Sequence, residues 1–72
     1  MSISIELSDK IIEKLGITEI KQSDNLIVFY KNIDDNARVN FFYVKHTKMF
    51  HYKSEWYDEK QFDKLLNLIM YL

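Results

Sequence analysis

His46 and His51 lie among the aromatic residues of Ala37–Trp56, ARVNFFYVKHTKMFHYKSEW, together with Lys45, Lys48 and Lys53. The stretch holds five of the ten Phe and Tyr residues and the one Trp of the chain. Such residues could support three kinds of chemistry. Two imidazoles and a carboxylate would make a three-ligand zinc site. Aromatic rings interleaved with lysines could stack bases while the cations follow a phosphate backbone. Apolar rings rimmed by polar groups could bind another protein. The zinc reading lacks a third ligand: acids are sparse nearby, there are no cysteines, and no HExxH spacing occurs. The histidines therefore read as structural or solvent-facing.

Other reactive groups fare no better. Ser23-Asp24 and Ser54-Glu55 place hydroxyls beside acids, but neither lies in a nucleophile elbow. Gly16 is the only glycine, so no glycine-rich loop can line an oxyanion or phosphate site. Asp34-Asp35 is a carboxylate pair, yet within NIDDNA it is explained by turn preference. A chain of 72 residues also encloses little concave surface. These observations argue against an enzyme, and no cofactor or metal is expected.

The elements that must position the aromatic residues start with a hairpin. Val39–His46 and Met49–Lys53 are rich in β-formers. Thr47-Lys48 would be a two-residue connection, although it lacks the glycine or asparagine that tight turns favour. It would place Val44 opposite His51 and Phe42 opposite Lys53. Alternation then gives two faces. Val39, Phe41, Tyr43, Phe50 and Tyr52 form a core-like face. Asn40, Phe42, Val44, His46, Met49, His51 and Lys53 form a mixed face. Leu26–Lys31, LIVFYK, is apolar on both sides. A four-residue loop over Asp34–Ala37 would pair Ile33 with Arg38. Leu26, Val28 and Tyr30 would then join the core face, and Ile27, Phe29 and Lys31 the mixed one. One residue more or less in that loop would exchange the two sets.

The rest of the chain covers this sheet. Ser2–Leu7 alternates apolar and polar residues as a half-buried strand does. Ser8 could cap a helix over 9–15, with Gly16 at its C-terminal stop. Ile17–Gln22 reads as a short strand and Ser23-Asp24-Asn25 as a turn. Asp58 and Gln61 make a capping-box start, with Tyr57 and Phe62 as its hydrophobic staple. Phe62, Leu65, Leu66 and Ile69 then repeat at helical spacing. The expected fold is α+β: an antiparallel β-sheet of four to five strands packed against a C-terminal α-helix, with a short N-terminal helix, in one small domain over 1–72.

Composition narrows the functional classes. Net charge is −1, with no global basic signature for nucleic acid. The excess positive charge lies within 31–53, where four lysines and Arg38 oppose Asp34 and Asp35. A core this small gives marginal stability, and without disulfides the usual supplements are a homodimer mate or a partner. No export signal or membrane-length apolar run is visible, so a cytoplasmic location is expected. Nine lysines to one arginine, with abundant Ile and Asn, suggest an AT-rich coding sequence of the bacterial or phage kind.

The expected function is therefore a non-catalytic protein-binding module, such as a small bacterial or phage-encoded inhibitor or adaptor that occupies another protein's surface. Its binding residues would be Phe29, Lys31, Asn40, Phe42, His46, Met49, His51 and Lys53. The alternative is a small nucleic-acid-binding protein that uses the same aromatic and basic face. The competing structural expectation is that helix 9–15 covers this face with Ile11, Ile12 and Leu15.

Overall fold

The computed structural model describes the backbone from Ile5 to Leu72 and the side chains from Ser8 onward. Helix α1 spans Ile5–Leu15. The strand expected over Ser2–Leu7 is thereby corrected where it can be followed: Ile5, Glu6 and Leu7 are helical, and the rest of that stretch falls within residues 1–4, outside the described ones. The spacing Leu7, Ile11, Leu15 in the sequence is i, i+4, i+8, and this longer helical period prevails over a six-residue alternation. Gly16 ends the helix with φ +67°, and its N–H donates to the Ile12 carbonyl at 3.1 Å. That left-handed conformation is what a glycine at the C-terminal stop supplies.

Five strands follow: β1 (Glu19–Gln22), β2 (Leu26–Asn32), β3 (Arg38–Val44), β4 (Met49–Tyr52) and β5 (Glu55–Asp58). They form one antiparallel sheet in the order β1-β2-β3-β4-β5. A 3-10 turn, Glu59–Gln61, then leads into helix α2 (Phe62–Met70). Asp58 and Gln61 form the expected capping box, with Gln61 N–H donating to Asp58 Oδ1 at 2.8 Å.

Three turns decide which residues face the core. The β2–β3 loop has five residues, 33–37, and pairs Asn32 with Arg38. Ile33 N–H donates to the Ala37 carbonyl at 3.0 Å, and Asn36 N–H to Asp34 Oδ1 at 2.8 Å. This Asx-type closure takes one residue more than the expected loop, so the parity of β2 is inverted. Ile27, Phe29 and Lys31 lie on the core face, while Leu26, Val28 and Tyr30 lie on the other. The β3–β4 connection has four residues, 45–48, and pairs Val44 with Met49 and Phe42 with His51. Lys48 supplies its left-handed residue at φ 59°. Relative to the expected pairing this is a shift of two, which leaves both faces of the hairpin unchanged. The β4–β5 turn is Lys53-Ser54, with φ of 48° and 68°. Two positive φ values are the type I′ requirement, met here without glycine.

Both helices pack on one face of the sheet. Ile27, Phe29, Phe41, Tyr43, Phe50 and Tyr52 from the strands are buried against Ile11 and Leu15 of α1 and Phe62, Leu65, Leu66 and Ile69 of α2. Phe29 stacks on Phe41 at 5.0 Å, and Phe50 meets Phe62 of α2 at 5.2 Å. Lys31 is on this side too, its Nζ donating to the Ile69 carbonyl at the end of α2 at 3.0 Å. Burying an aromatic or aliphatic side chain contributes roughly 1.5–3 kcal/mol, so this single layer carries most of the stability. Helix α1 lies beside α2, with Lys10 Nζ 3.3 Å from Asp63 Oδ1. It does not cover the opposite face, contrary to the expectation for helix 9–15. Among the described residues no helix is long and apolar enough to cross a membrane.

Candidate interaction face

The sheet face away from the helices carries no buried side chain among the described residues. Its residues follow from the register. One row crosses all five strands: Lys21, Val28, Phe42, His51 and Trp56, each directly opposite the next. On one side lies the row Glu19, Tyr30, Asn40. On the other lies Leu26, Val44, Met49, Asp58. Apolar and aromatic groups thus hold the centre, and charged groups occupy the two edges.

The central rings support one another. Phe42 stacks on His51 at 4.8 Å, and Trp56 meets His51 edge-on at 4.6 Å and Phe42 at 6.2 Å. Aromatic contacts of this kind contribute about 0.5–1.5 kcal/mol beyond buried area. They also hold each ring in one orientation, so little side-chain freedom is left to lose on binding. Trp56 nevertheless remains 51% exposed. Next to it, Tyr57 of β5 and Leu68 of α2 line a shallow groove with Lys64 and Gln61, which carries apolar surface around the sheet edge.

The electrostatics of the face are close to balanced. Arg38 lies 4.2 Å over the Tyr30 ring and 3.3 Å from Glu19 Oε1, and Lys21 lies 3.6 Å from Glu19 Oε2. Two cations share one carboxylate at the β1 corner, and Asp58 stands at the β5 edge. Among the described residues, no row of unpaired cations follows the strands in the manner of a phosphate track.

Of the residues expected to bind, Asn40, Phe42, Met49 and His51 lie on this face. Phe29 is corrected to the core, where it is 0% exposed, and Lys31 to the helix side. His46 is not on a strand. It is exposed in the 45–48 connection, its N–H held by Asn25 Oδ1 at 2.9 Å. Lys53 sits in the β4–β5 turn, 5.5 Å over the ring of Tyr52, and His51 rather than Lys53 stands opposite Phe42. Sequence reasoning missed Trp56, Val28, Tyr30, Lys21 and Arg38 as members of the face. The β-forming pair Trp56-Tyr57 was the available signal for β5, but the preceding Lys53-Ser54 lacks the residues that usually mark a hairpin turn.

Among the described residues, no three His, Asp or Glu side chains gather closely enough to hold a metal ion. The perturbed titrating group lies on the helix side. Tyr43 is driven above its ordinary phenol value by burial first, then by the Glu59 carboxylate, whose Oε1 accepts its hydroxyl at 3.4 Å. Comparison with protein-family models, curated proteins and solved structures finds no match to this chain.

Proposed function

We propose that this chain is a non-catalytic protein-binding module that lays its open sheet face on the surface of another protein, as a small inhibitor or adaptor does. The observation that carries this reading is the uncovered row Phe42–His51–Trp56. Both helices pack on the opposite face, leaving these rings half-exposed or exposed and mutually braced. An apolar centre with charges at its edges has the anatomy of a protein interface. Trp and Tyr are also the types that supply large contact area at low entropic cost. The balanced charge of the face favours a protein over a polyanion, because phosphate binding depends on cations free to displace counterions.

Trp56 is the only tryptophan and lies within the site, so its fluorescence reports occupancy directly. The test is capture from a bacterial lysate with and without nuclease, followed by fluorescence titration of the purified partner at several salt concentrations. Phe42→Ala and Trp56→Ala should each weaken binding by at least ~2 kcal/mol, and Lys21→Ala by under ~1 kcal/mol, with little salt dependence. Capture abolished by nuclease, with a steep salt slope reduced by about one unit in Lys21→Ala, would instead establish a nucleic-acid binder. Unchanged affinity in folded Phe42→Ala and Trp56→Ala would remove this face from the function.

A further inference from the structure

The two edges of the sheet differ in what they leave open. Ser23 N–H donates across the first hairpin to the Leu26 carbonyl at 2.8 Å. Backbone groups alternate in direction along a strand, so Lys21 and Glu19 also bond toward β2, while Ile20 and Gln22 point away from the sheet. Thr18 N–H turns inward as well, to the Tyr30 carbonyl at 2.9 Å, which limits the open stretch to these two residues. Among the described residues nothing pairs with the outward backbone groups of Ile20 and Gln22. At the β5 edge the situation is different. By the same alternation Trp56 and Asp58 point outward there, but the N–H of Asp58 is taken by Gln61 Oε1 at 3.2 Å and the chain turns at once into α2, which leaves Trp56 as the single open residue. The β1 edge, with both Ile20 and Gln22 open, is the longer one on which a strand can pair.

We infer that β1 pairs with β1 of a second copy of this chain, antiparallel and centred on Ile20, so that two five-stranded sheets become one continuous sheet about a two-fold axis. The local sequence Glu19-Ile20-Lys21 is self-complementary in that register. Ile20 stands opposite Ile20 of the second copy, and the pair exchanges two N–H···O=C bonds. Glu19 stands opposite Lys21 of the second copy, and Lys21 opposite its Glu19, both on the open face. Opposite charges directly across a strand pair stabilise it, and like charges destabilise it. Moving the centre to residue 21 would set two lysines face to face. The charges that ordinarily protect a sheet edge here select one register of self-pairing.

The apolar side agrees. Ile20 points toward the helices, where it is half-buried against the core, and pairing would bury the rest of it on its own copy. Glu19 keeps Arg38 at Oε1, and at Oε2 the Lys21 of the second copy takes the place of the chain's own Lys21, so each carboxylate holds two cations before and after pairing. The interface is short. Four residues at about 3.3 Å each span roughly 13 Å. It belongs with small, weak interfaces, in monomer–dimer exchange rather than permanent assembly. Its consequence is to set two open faces side by side, which raises avidity for a repetitive or dimeric target.

Sedimentation equilibrium of the whole chain from about 10 µM to 1 mM covers the range expected of such an interface. The wild-type chain should dimerise within it. Lys21→Glu alone and Glu19→Lys alone should each weaken self-association at least tenfold, because each sets like charges opposite one another. Mixing the two variants one to one should restore dimers, since every acid then faces a base. Circular dichroism checks that both variants are folded. Amide exchange of the wild-type chain gives an arm free of substitution: the Ile20 amide should become protected as concentration rises. Trp56→Ala should leave dimerisation unchanged, which separates this edge from the binding face. A chain that stays monomeric to 1 mM with an unprotected Ile20 amide overturns the inference. So does a dimer indifferent to both charge variants, or one abolished by Trp56→Ala.

Discussion

Phe29 and Phe42 are the same residue type on neighbouring strands, and the fold makes opposite demands of them. Phe29 is 0% exposed and stacked on Phe41 at 5.0 Å, whereas Phe42 lies half-exposed on the open face. Truncating a buried Phe to Ala costs about 3–5 kcal/mol. A chain of this length has a total stability of roughly 4–11 kcal/mol, so Phe29→Ala would remove about a quarter of it or more and unfold a chain at the lower end of that range. Phe29→Leu keeps most of the volume and should cost about 1–2 kcal/mol through lost stacking and imperfect fit. Phe42→Leu removes a ring that water already reaches and leaves no cavity, so it should cost about 0.5–1 kcal/mol through the lost contacts with His51 and Trp56. Urea unfolding followed by far-UV circular dichroism reads the difference. With a slope of about 1 kcal/mol/M, Phe29→Leu should lower the midpoint by about 1–2 M, and Phe42→Leu by only a fraction of that. The reverse order would mean that the β2–β3 loop has an even number of residues and that Phe29 belongs to the open face. That result would refute the register on which both faces depend.

Other substitutions test the remaining supports. Ile69→Ala, at a fully buried position in the last turn of α2, should cost about 2–5 kcal/mol in the same urea assay. Asp58→Ala removes the capping box ahead of α2 and should cost about 1 kcal/mol, seen as a parallel shift of the unfolding curve. Tyr43 has a folded pKa above its unfolded value, so its proton is held more tightly in the native state. Its contribution is therefore present below about pH 10 and lost as pH rises through the folded pKa. Tyr43→Phe should lose less stability than the wild-type chain between about pH 9 and 12, and absorbance at 295 nm should show one late-titrating phenol missing.

What the sequence disclosed and what it hid both follow from periodicity. The helix over Phe62–Met70 was legible because Phe62, Leu65, Leu66 and Ile69 repeat at helical spacing behind an Asp58/Gln61 cap. The two faces of the β3–β4 hairpin were legible although its turn is two residues longer than expected, because a shift of two preserves side-chain parity. Strand β2 was legible as a strand but its faces were not, because LIVFYK is apolar on both sides and offers no alternation to fix its parity. Its faces hung on one loop, and the Asn36–Asp34 closure lengthened that loop by one residue. Strand β5 was hidden because Lys53 and Ser54 take left-handed conformations that neither residue advertises. Much of the candidate face follows from those two loops: Val28 and Tyr30 from the first, Trp56 from the second.

The course of the chain also explains why one face stays open. The helices enter at opposite ends of the sheet, α1 ahead of β1 and α2 after β5, and both fold back over the same side. Every strand in between is joined to the next by a short turn of two to five residues, so no crossover segment is available to cover the other side. Burial on the helix side then fixes only alternate residues of each strand. The remaining positions, Val28, Phe42, His51 and Trp56 among them, are released from the demands of the core. Solvent exposure alone would favour polar side chains there, as on the outer face of most antiparallel sheets. The rings brace the sheet across its strands, yet Trp56 stays 51% exposed, so their mutual contacts account for only part of the apolar surface. On the proposed reading, contact with another protein buries the groups that folding leaves exposed.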